Sequence, residues 1–219
     1  MSMTTALEAG RPPRQLRPDL WLFPPNRDSQ GGSSWWLETE DAPALIDCPP
    51  LTEATITALE QLAQGRAARI LITSREGHGR LRRLQERFGW TVLVQKQEAY
   101  LLPDVKPLIT FSDTHALAGG LQLLWTPGPT PGSCVVHAAA PANLLFCGRL
   151  LTPIAPGRLA PLRHGRTFHW PRQLRSLQRL RQWLPSNASP DLASGAGLGA
   201  LRGEQLVPFS GWDTAMESS

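Results

Sequence analysis

The feature that most constrains this chain is the alternation of short apolar strands and amphipathic helices in its first half. Residues 44–47, 69–73 and 91–94 have the composition of buried strands, and a helical pattern separates each from the next. Thr52 can cap the first of these helices, and Gly89 can end the second. Strands joined through a helix run parallel, so the pattern predicts βαβ units and a largely parallel sheet.

Strands of a different kind surround this region. Residues 20–23 and 34–38 are short apolar runs separated by turn residues, which predicts a β-meander before the βαβ units. Three further runs, 121–125, 133–137 and 143–147, predict a return to strands in the second half. The chain therefore belongs to the mixed α/β (α+β) class.

A final helix is predicted over residues 172–184. We expect it to turn leucines inward and arginines to solvent: Leu174, Leu177, Leu180 and Leu184 against Arg172, Arg175 and Arg179. We expect one domain over residues 18–205, between a flexible N-terminal arm (1–17) and a C-terminal tail (206–219).

Composition excludes several classes of protein. With 41% hydrophobic residues in 219, the chain can bury a sizeable core, and no run approaches the 18 apolar residues of a membrane span. Cys48, Cys134 and Cys147 are too widely spaced for a disulfide framework or a metal knuckle, so we expect a cytoplasmic protein. The net charge is +4, but no nucleic-acid-binding motif accompanies it, so we do not expect nucleic-acid binding.

Five short motifs follow one another along the chain: LIDCPP (45–50), ITSREGHGRL (72–81), TPGPTPGS (126–133), LLFCGR (144–149) and SGAG (194–197). In this order they resemble motifs of the metallo-β-lactamase superfamily: LIDCPP resembles a strand that ends in an aspartate, and the other four resemble motifs that bear metal ligands. The resemblance extends from about residue 20 to about residue 199. It implies an αββα sandwich of two mixed β-sheets flanked by helices.

The resemblance also implies a place for a dinuclear metal site, at the edge where these loops meet. Zinc prefers imidazole and carboxylate ligands, and a catalytic zinc lowers the pKa of its bound water to about 7. In this chain the ligand positions are altered. They hold Ser74, Glu76, His78, Gly79, Pro129, Arg149 and Ala196.

Arg149 is the change with the largest consequence, because it stands where the resemblance implies a bridging aspartate. A guanidinium about 5 Å from a dication repels it by roughly 6 kcal/mol at an effective dielectric constant of about 20. We therefore predict a metal-free protein without a cofactor. We hypothesise that Asp47 and Glu76 neutralise Arg149; the alternative is that Arg149 points to solvent.

Residual catalytic candidates remain at the same edge. Cys48 or Cys147 could act with His78 and Glu76 as a nucleophilic Cys–His arrangement or as a substitute metal site. The alternative is that the thiols are packed apolar groups and that His78 caps a helix or lies on the surface.

A further binding candidate is the stretch PLRHGRTFHWP (161–171), which contains His164, His169 and Trp170. With Arg163 and Arg166 these side chains could bind an anionic ligand or the acidic patch of a partner. A plain surface loop is the alternative.

Two functions are consistent with these observations. The first is a non-catalytic protein that binds an unknown protein partner or a small anionic ligand. The second is a hydrolase of esters, thioesters or lactones with a rearranged zinc or thiol site.

Overall fold

The computed structural model describes residues 7–209 and residue 211, and its strands form two large sheets. The first has seven strands: β1 Arg14–Arg17, β2 Leu20–Asn26, β3 Gly32–Leu37, β4 Ala44–Ile46, β5 Arg69–Leu71, β6 Thr91–Gln95 and β7 Leu108–Phe111. The strands after β7 are β8 Thr114–Leu117, β9 Leu121–Trp125, β10 Cys134–Ala138, β11 Leu144–Gly148, β12 Thr152–Ala155, β13 Arg158–Ala160 and β14 Asp191–Ser194. The helices are α1 Glu53–Ala63, α2 Leu81–Phe88 and α3 Trp170–Trp183.

The first sheet follows the order of the chain. Strands β1 to β4 pair antiparallel, and β4 to β7 pair parallel, with α1 and α2 in two of the connections. The predicted parallel βαβ region is confirmed. The second sheet has the order β14-β11-β10-β9-β8, with only β14 parallel to its neighbour, and β12 and β13 form a separate hairpin.

Local sequence signals set the helix ends. The Thr52 hydroxyl accepts a hydrogen bond from the Thr55 backbone N–H at 3.2 Å, which caps α1. Gly89 ends α2 in the left-handed region, with φ of 68°. Helix α1 ends at Gln64 and Gly65, which both have positive φ, of 50° and 79°.

Buried side chains form three layers, which account for the αββα order. The layer between the sheets includes Trp35, whose ring centroid lies 6.1 Å from that of Phe146. The neighbouring Trp36 points the other way, against Trp90 beneath α1 and α2. A third layer, with Leu177 and Leu180, lies between the second sheet and α3. The structure is thus the predicted sandwich of two mixed sheets with helices outside.

The chain ends differ from the prediction. Within the predicted flexible arm, Arg14–Arg17 is strand β1, held by the Arg17–Asp191 ion pair and by a 3.2 Å hydrogen bond from Arg17 Nη1 to the Ala142 carbonyl. Within the predicted tail, Val207 bridges Leu192 of β14. The remaining parts of these predictions, residues 1–6, 210 and 212–219, lie outside the described residues.

The orientation of α3 also differs from the prediction. Leu174 is 39% exposed, whereas Gln173 and Ser176 are buried. The reason is hydrogen bonding: Gln173 Nε2 donates to the Leu150 carbonyl at 3.2 Å, and the Ser176 hydroxyl donates to the Pro127 carbonyl at 2.7 Å. Within residues 7–209, no helix is both long and apolar enough to cross a membrane.

Candidate functional site

The loops that carry the five motifs meet at one edge of the sandwich. The Cys48 N–H donates to the Gly77 carbonyl at 2.9 Å, which joins the loops after β4 and β5. The Gly195 N–H donates to the Gly148 carbonyl at 2.8 Å, and the Ser33 N–H donates to the Gly195 carbonyl at 3.2 Å. Loops from both sheets are therefore fixed to one another by backbone hydrogen bonds.

Asp47 lies at the centre of this edge, with its carboxylate buried. Oδ1 accepts from the Thr73 backbone N–H at 2.8 Å, and Oδ2 accepts from the Thr73 hydroxyl at 2.6 Å. Burial raises the pKa of Asp47 to about 6, although the Thr73 hydrogen bonds and the charge of Arg149 lower it. A Cβ on Gly77 would lie 2.2 Å from Asp47 Oδ1, so only glycine allows this close approach.

Arg149 and Glu76 form a buried ion pair beside Asp47. Nε of Arg149 lies 2.7 Å from Oε2 of Glu76, and the two side chains are only 9% and 8% exposed. Arg149 Nη2 also donates to the Ser29 carbonyl at 2.7 Å, and Arg166 Nε lies 3.4 Å from Glu76 Oε1. Arg149 thus points inward and joins the β2–β3 turn, the loop after β5 and the loop after β11.

These residues do not fit the metal site that the fold family implies. Both carboxylate oxygens of Asp47 accept hydrogen bonds from Thr73, and Glu76 is paired with two arginines. The positions that could have supplied other ligands hold Ser74, Gly79, Pro129 and Ala196. In the described part of the chain, no three His, Cys, Asp or Glu side chains are grouped so as to hold a metal ion.

The four residual catalytic candidates do not come together as a group. Cys48 packs beneath α1 and α2, on the outer face of the first sheet, whereas Cys147 packs beneath α3 on the outer face of the second. Burial raises the pKa of Cys48 to about 12 and that of Cys147 further still, so both are neutral thiols at pH 7. Glu76 is held by Arg149 and Arg166.

His78 is the remaining candidate, and it borders a cleft. Burial, with a smaller contribution from the Arg75 charge, lowers the pKa of His78 to about 4, so its ring is neutral at pH 7. Within the described residues its Nε2 is buried without a hydrogen-bond partner. The His78 ring thus borders the cleft, but this nitrogen is not exposed in it.

The cleft beside His78 has a volume of about 560 Å³. Its lining residues are Gln30, Arg75, Glu76, His78, Leu101 and Arg166. No acidic group in the described structure forms an ion pair with the Arg75 guanidinium, and Arg166 shares Glu76 with Arg149. Cationic side chains therefore outnumber the one carboxylate that lines the cleft.

The predicted binding stretch is divided between two clefts. His169 and Trp170 line a second cleft of about 340 Å³, together with Arg163, Thr167, Phe168 and Pro171. His169 also caps α3, because its Nδ1 accepts from the Arg172 N–H at 3.2 Å. His164 does not line this cleft; its Nδ1 accepts from the N–H of Arg166.

Glu98 is a residue of this edge that the motifs did not indicate. It is buried, and its carboxylate accepts from the Arg75 N–H at 2.5 Å and from the Gly132 N–H at 3.0 Å. It thereby joins the loop after β5 to the TPGPTPGS turn. The only available signal was an acidic residue shortly after a buried parallel strand.

Comparison with known proteins supports the fold but not a function. No protein-family model and no curated protein sequence matches the chain. Among solved structures, the BLEG-1 B3 metallo-beta-lactamase is 20% identical with a TM-score of 0.66, over 87% of this chain and 94% of that one. A metallo-beta-lactamase from Pontibacter korlensis is 18% identical with a TM-score of 0.60, over 88% and 99%. The superfamily protein ST1585 from Sulfolobus tokodaii is 15% identical with a TM-score of 0.60, over 87% and 81%.

The layers and the sheet order define an αββα sandwich with a loop-built site at one edge. Together with these similarities, they show that the chain has the metallo-β-lactamase fold.

Proposed function

We propose that this chain is a metallo-β-lactamase-fold pseudoenzyme that has lost its dinuclear metal site and acts by binding a small anionic ligand or a protein partner. The observation that carries the proposal is the buried Arg149–Glu76 ion pair. A fixed guanidinium at this edge opposes a dication and neutralises the carboxylate that would otherwise attract one.

The chemistry of the larger cleft supports an anionic ligand. Arg75 and Arg166 can donate paired hydrogen bonds to a phosphate or carboxylate, and the neutral His78 ring beside them adds no opposing charge. Leu101, which is 39% exposed, supplies an apolar wall. A small organic phosphate or carboxylate with an apolar group matches this lining.

Metal content is the first test of the proposal. The protein is purified without chelator, dialysed against trace zinc and examined by plasma mass spectrometry beside the Arg149→Asp variant. We expect less than about a tenth of a metal ion per wild-type chain, because the Arg149 charge opposes binding. One or two metal ions per wild-type chain would contradict the loss of the site.

Titration calorimetry with phenyl phosphate and with inorganic phosphate tests the ligand class. We expect phenyl phosphate to bind, and Arg75→Ala to weaken its binding about tenfold, since a hydrogen bond to a charged group is lost. Arg158→Ala removes an exposed arginine of β13 that does not line this cleft and is the matched control. Equal weakening by both variants would show a general charge effect and contradict the assignment to this cleft.

One observation favours the hydrolase alternative: His78, whose ring is neutral at pH 7, lines the same cleft as Glu76. If the chain hydrolyses esters, thioesters or lactones through this histidine, His78→Ala abolishes turnover. We expect no turnover of nitrophenyl acetate by the wild type above that of a His78→Ala sample.

A cytoplasmic location is also part of the proposal, supported by three buried cysteines without disulfide bonds.

A further inference from the structure

The charges of this chain are distributed unevenly along its sequence. Residues 114–190 contain eight arginines and no aspartate or glutamate. The rest of the chain has 14 basic and all 18 acidic residues, so the excess of positive charge is confined to this segment. Such asymmetry indicates a negatively charged binding partner more strongly than the overall charge does.

Only some of these arginines have acidic partners, and those partners lie outside the segment. Arg149 and Arg166 contact Glu76, and Arg179 contacts Asp113 at 2.6 Å. Arg163, before α3, and Arg175, on α3, are exposed. Neither of these two forms an ion pair with any described residue.

Large apolar side chains are exposed among these arginines. Leu162 is 47% exposed, Phe168 46% and Leu174 39%. The cleft of about 340 Å³ has the side chains of Phe168, Trp170 and Pro171 in its lining, and Leu162 and Leu174 are their near neighbours in sequence. Exposed apolar groups interleaved with arginines have the composition of an interface core, in which aromatic residues and arginine are enriched.

We infer that Arg163, Phe168, Trp170, Leu174 and Arg175 form a docking surface for an acidic peptide segment of a partner protein. An apolar side chain of the segment enters the cleft, and flanking carboxylates contact Arg163 and Arg175. The inference rests on one part of the proposed function, namely that the protein acts by binding. Its residues are separate from Arg75, Glu76 and His78 of the larger cleft.

A peptide fits this surface better than an extended polyanion. The cleft is concave with apolar walls, so a phosphate backbone or a flat membrane surface would leave it unfilled. Arg163 lines this cleft, and Arg175 lies on α3 one turn after Pro171, which also lines it.

Fluorescence anisotropy with labelled peptides tests the inference. The probe is a twelve-residue peptide with glutamates on both sides of a central Trp-Leu pair, and the control peptide has Ala-Ala at its centre. We expect the probe to bind the full chain, the control peptide to bind about tenfold more weakly, and the Arg163→Glu/Arg175→Glu variant to lose at least about tenfold in affinity. The Arg83→Glu/Arg202→Glu variant, with the same change of charge at exposed sites elsewhere, should keep affinity within about twofold.

Three results would overturn the inference: no binding of the probe, equal binding of the two peptides, or equal losses in the two double variants. Binding of single-stranded RNA or of phosphatidylserine vesicles without binding of the probe would also overturn it, in favour of a polyanion. Phenyl phosphate titration of the same double variants separates the two proposals. If the Arg163→Glu/Arg175→Glu variant loses peptide binding but binds phenyl phosphate as the wild type does, the docking surface and the larger cleft are separate sites.

Discussion

Replacement of Arg149 by methionine leaves the Glu76 carboxylate buried without its closest cation. Breaking a buried ion pair from one side costs about 3–5 kcal/mol. Arg166, 3.4 Å from the other oxygen of Glu76, compensates part of this loss, although its own side chain is 61% exposed. We therefore expect the free energy of unfolding to fall by about 3 kcal/mol, the lower end of that range.

Urea unfolding followed by tryptophan fluorescence measures this change. In a chain of 219 residues, each kcal/mol corresponds to about 2–4 °C, so the midpoint of thermal unfolding should fall by about 6–12 °C. Arg166→Ala is the matched control: it removes the exposed arginine from the same carboxylate, and we expect it to cost less than about 1 kcal/mol.

A double-mutant cycle separates the pair from its surroundings. Glu76→Gln added to Arg149→Met removes the unpaired charge, so we expect the two changes to be non-additive by at least about 1.5 kcal/mol. Additive changes, or a loss below about 1 kcal/mol for Arg149→Met alone, would refute the argument that this ion pair holds the edge together.

Three further outcomes are expected. Because burial raises the folded-state pKa of Asp47 to about 6, protonated Asp47 stabilises the fold below about pH 4, and this contribution is lost as the pH rises through about 6. Asp47→Asn keeps an acceptor and a donor for Thr73. In urea unfolding, its free energy of unfolding relative to that of the wild type should therefore increase by up to about 3 kcal/mol from pH 4 to pH 7. A difference between the two proteins that does not change with pH would contradict the raised pKa. Gly77→Ala places a Cβ against Asp47 and should destabilise the protein by at least about 2 kcal/mol in thermal unfolding, whereas Gly165→Ala, with no atom within 4 Å of its Cβ, should change stability by less than about 1 kcal/mol. The three buried cysteines should not react with Ellman's reagent at pH 8 in the native protein and should all react in urea; rapid native labelling of Cys48 would support the thiol alternative.

The first half of the fold could be predicted because its local signals agree with its tertiary structure. The strands of the parallel region are short apolar runs, and the helices between them have a capping threonine and a terminal glycine. Each signal depends on neighbours in sequence. The motif resemblance then supplied the sheet pairing, which periodicity alone does not determine.

The prediction missed structure that depends on distant partners. The hairpin β12–β13 lies in a stretch rich in proline and glycine, and β1 is held by contacts to Asp191 and Ala142. Leucine spacing alone gave the wrong position for Leu174, because hydrogen bonds of Gln173 and Ser176 to other loops set the rotation of α3.

In the candidate site, sequence placed Asp47, Glu76 and Arg149 at one edge, because each follows a strand of a recognised motif. It did not indicate Glu98, whose role depends on its distance from Gly132 across the sandwich. Nor did it indicate that Cys48 and Cys147 lie far apart, on the outer faces of different sheets. The face that each thiol occupies is set by the alternation of side chains along its own strand.

The buried pair of Arg149 and Glu76 has a consequence for how this edge is assembled. A metal-bridged edge is complete only after an ion has been acquired from the surroundings, so its geometry depends on the supply of that ion. Here the cross-link between the β2–β3 turn, the loop after β5 and the loop after β11 consists of side chains that the chain itself encodes. These loops therefore reach their arrangement as soon as the chain has folded.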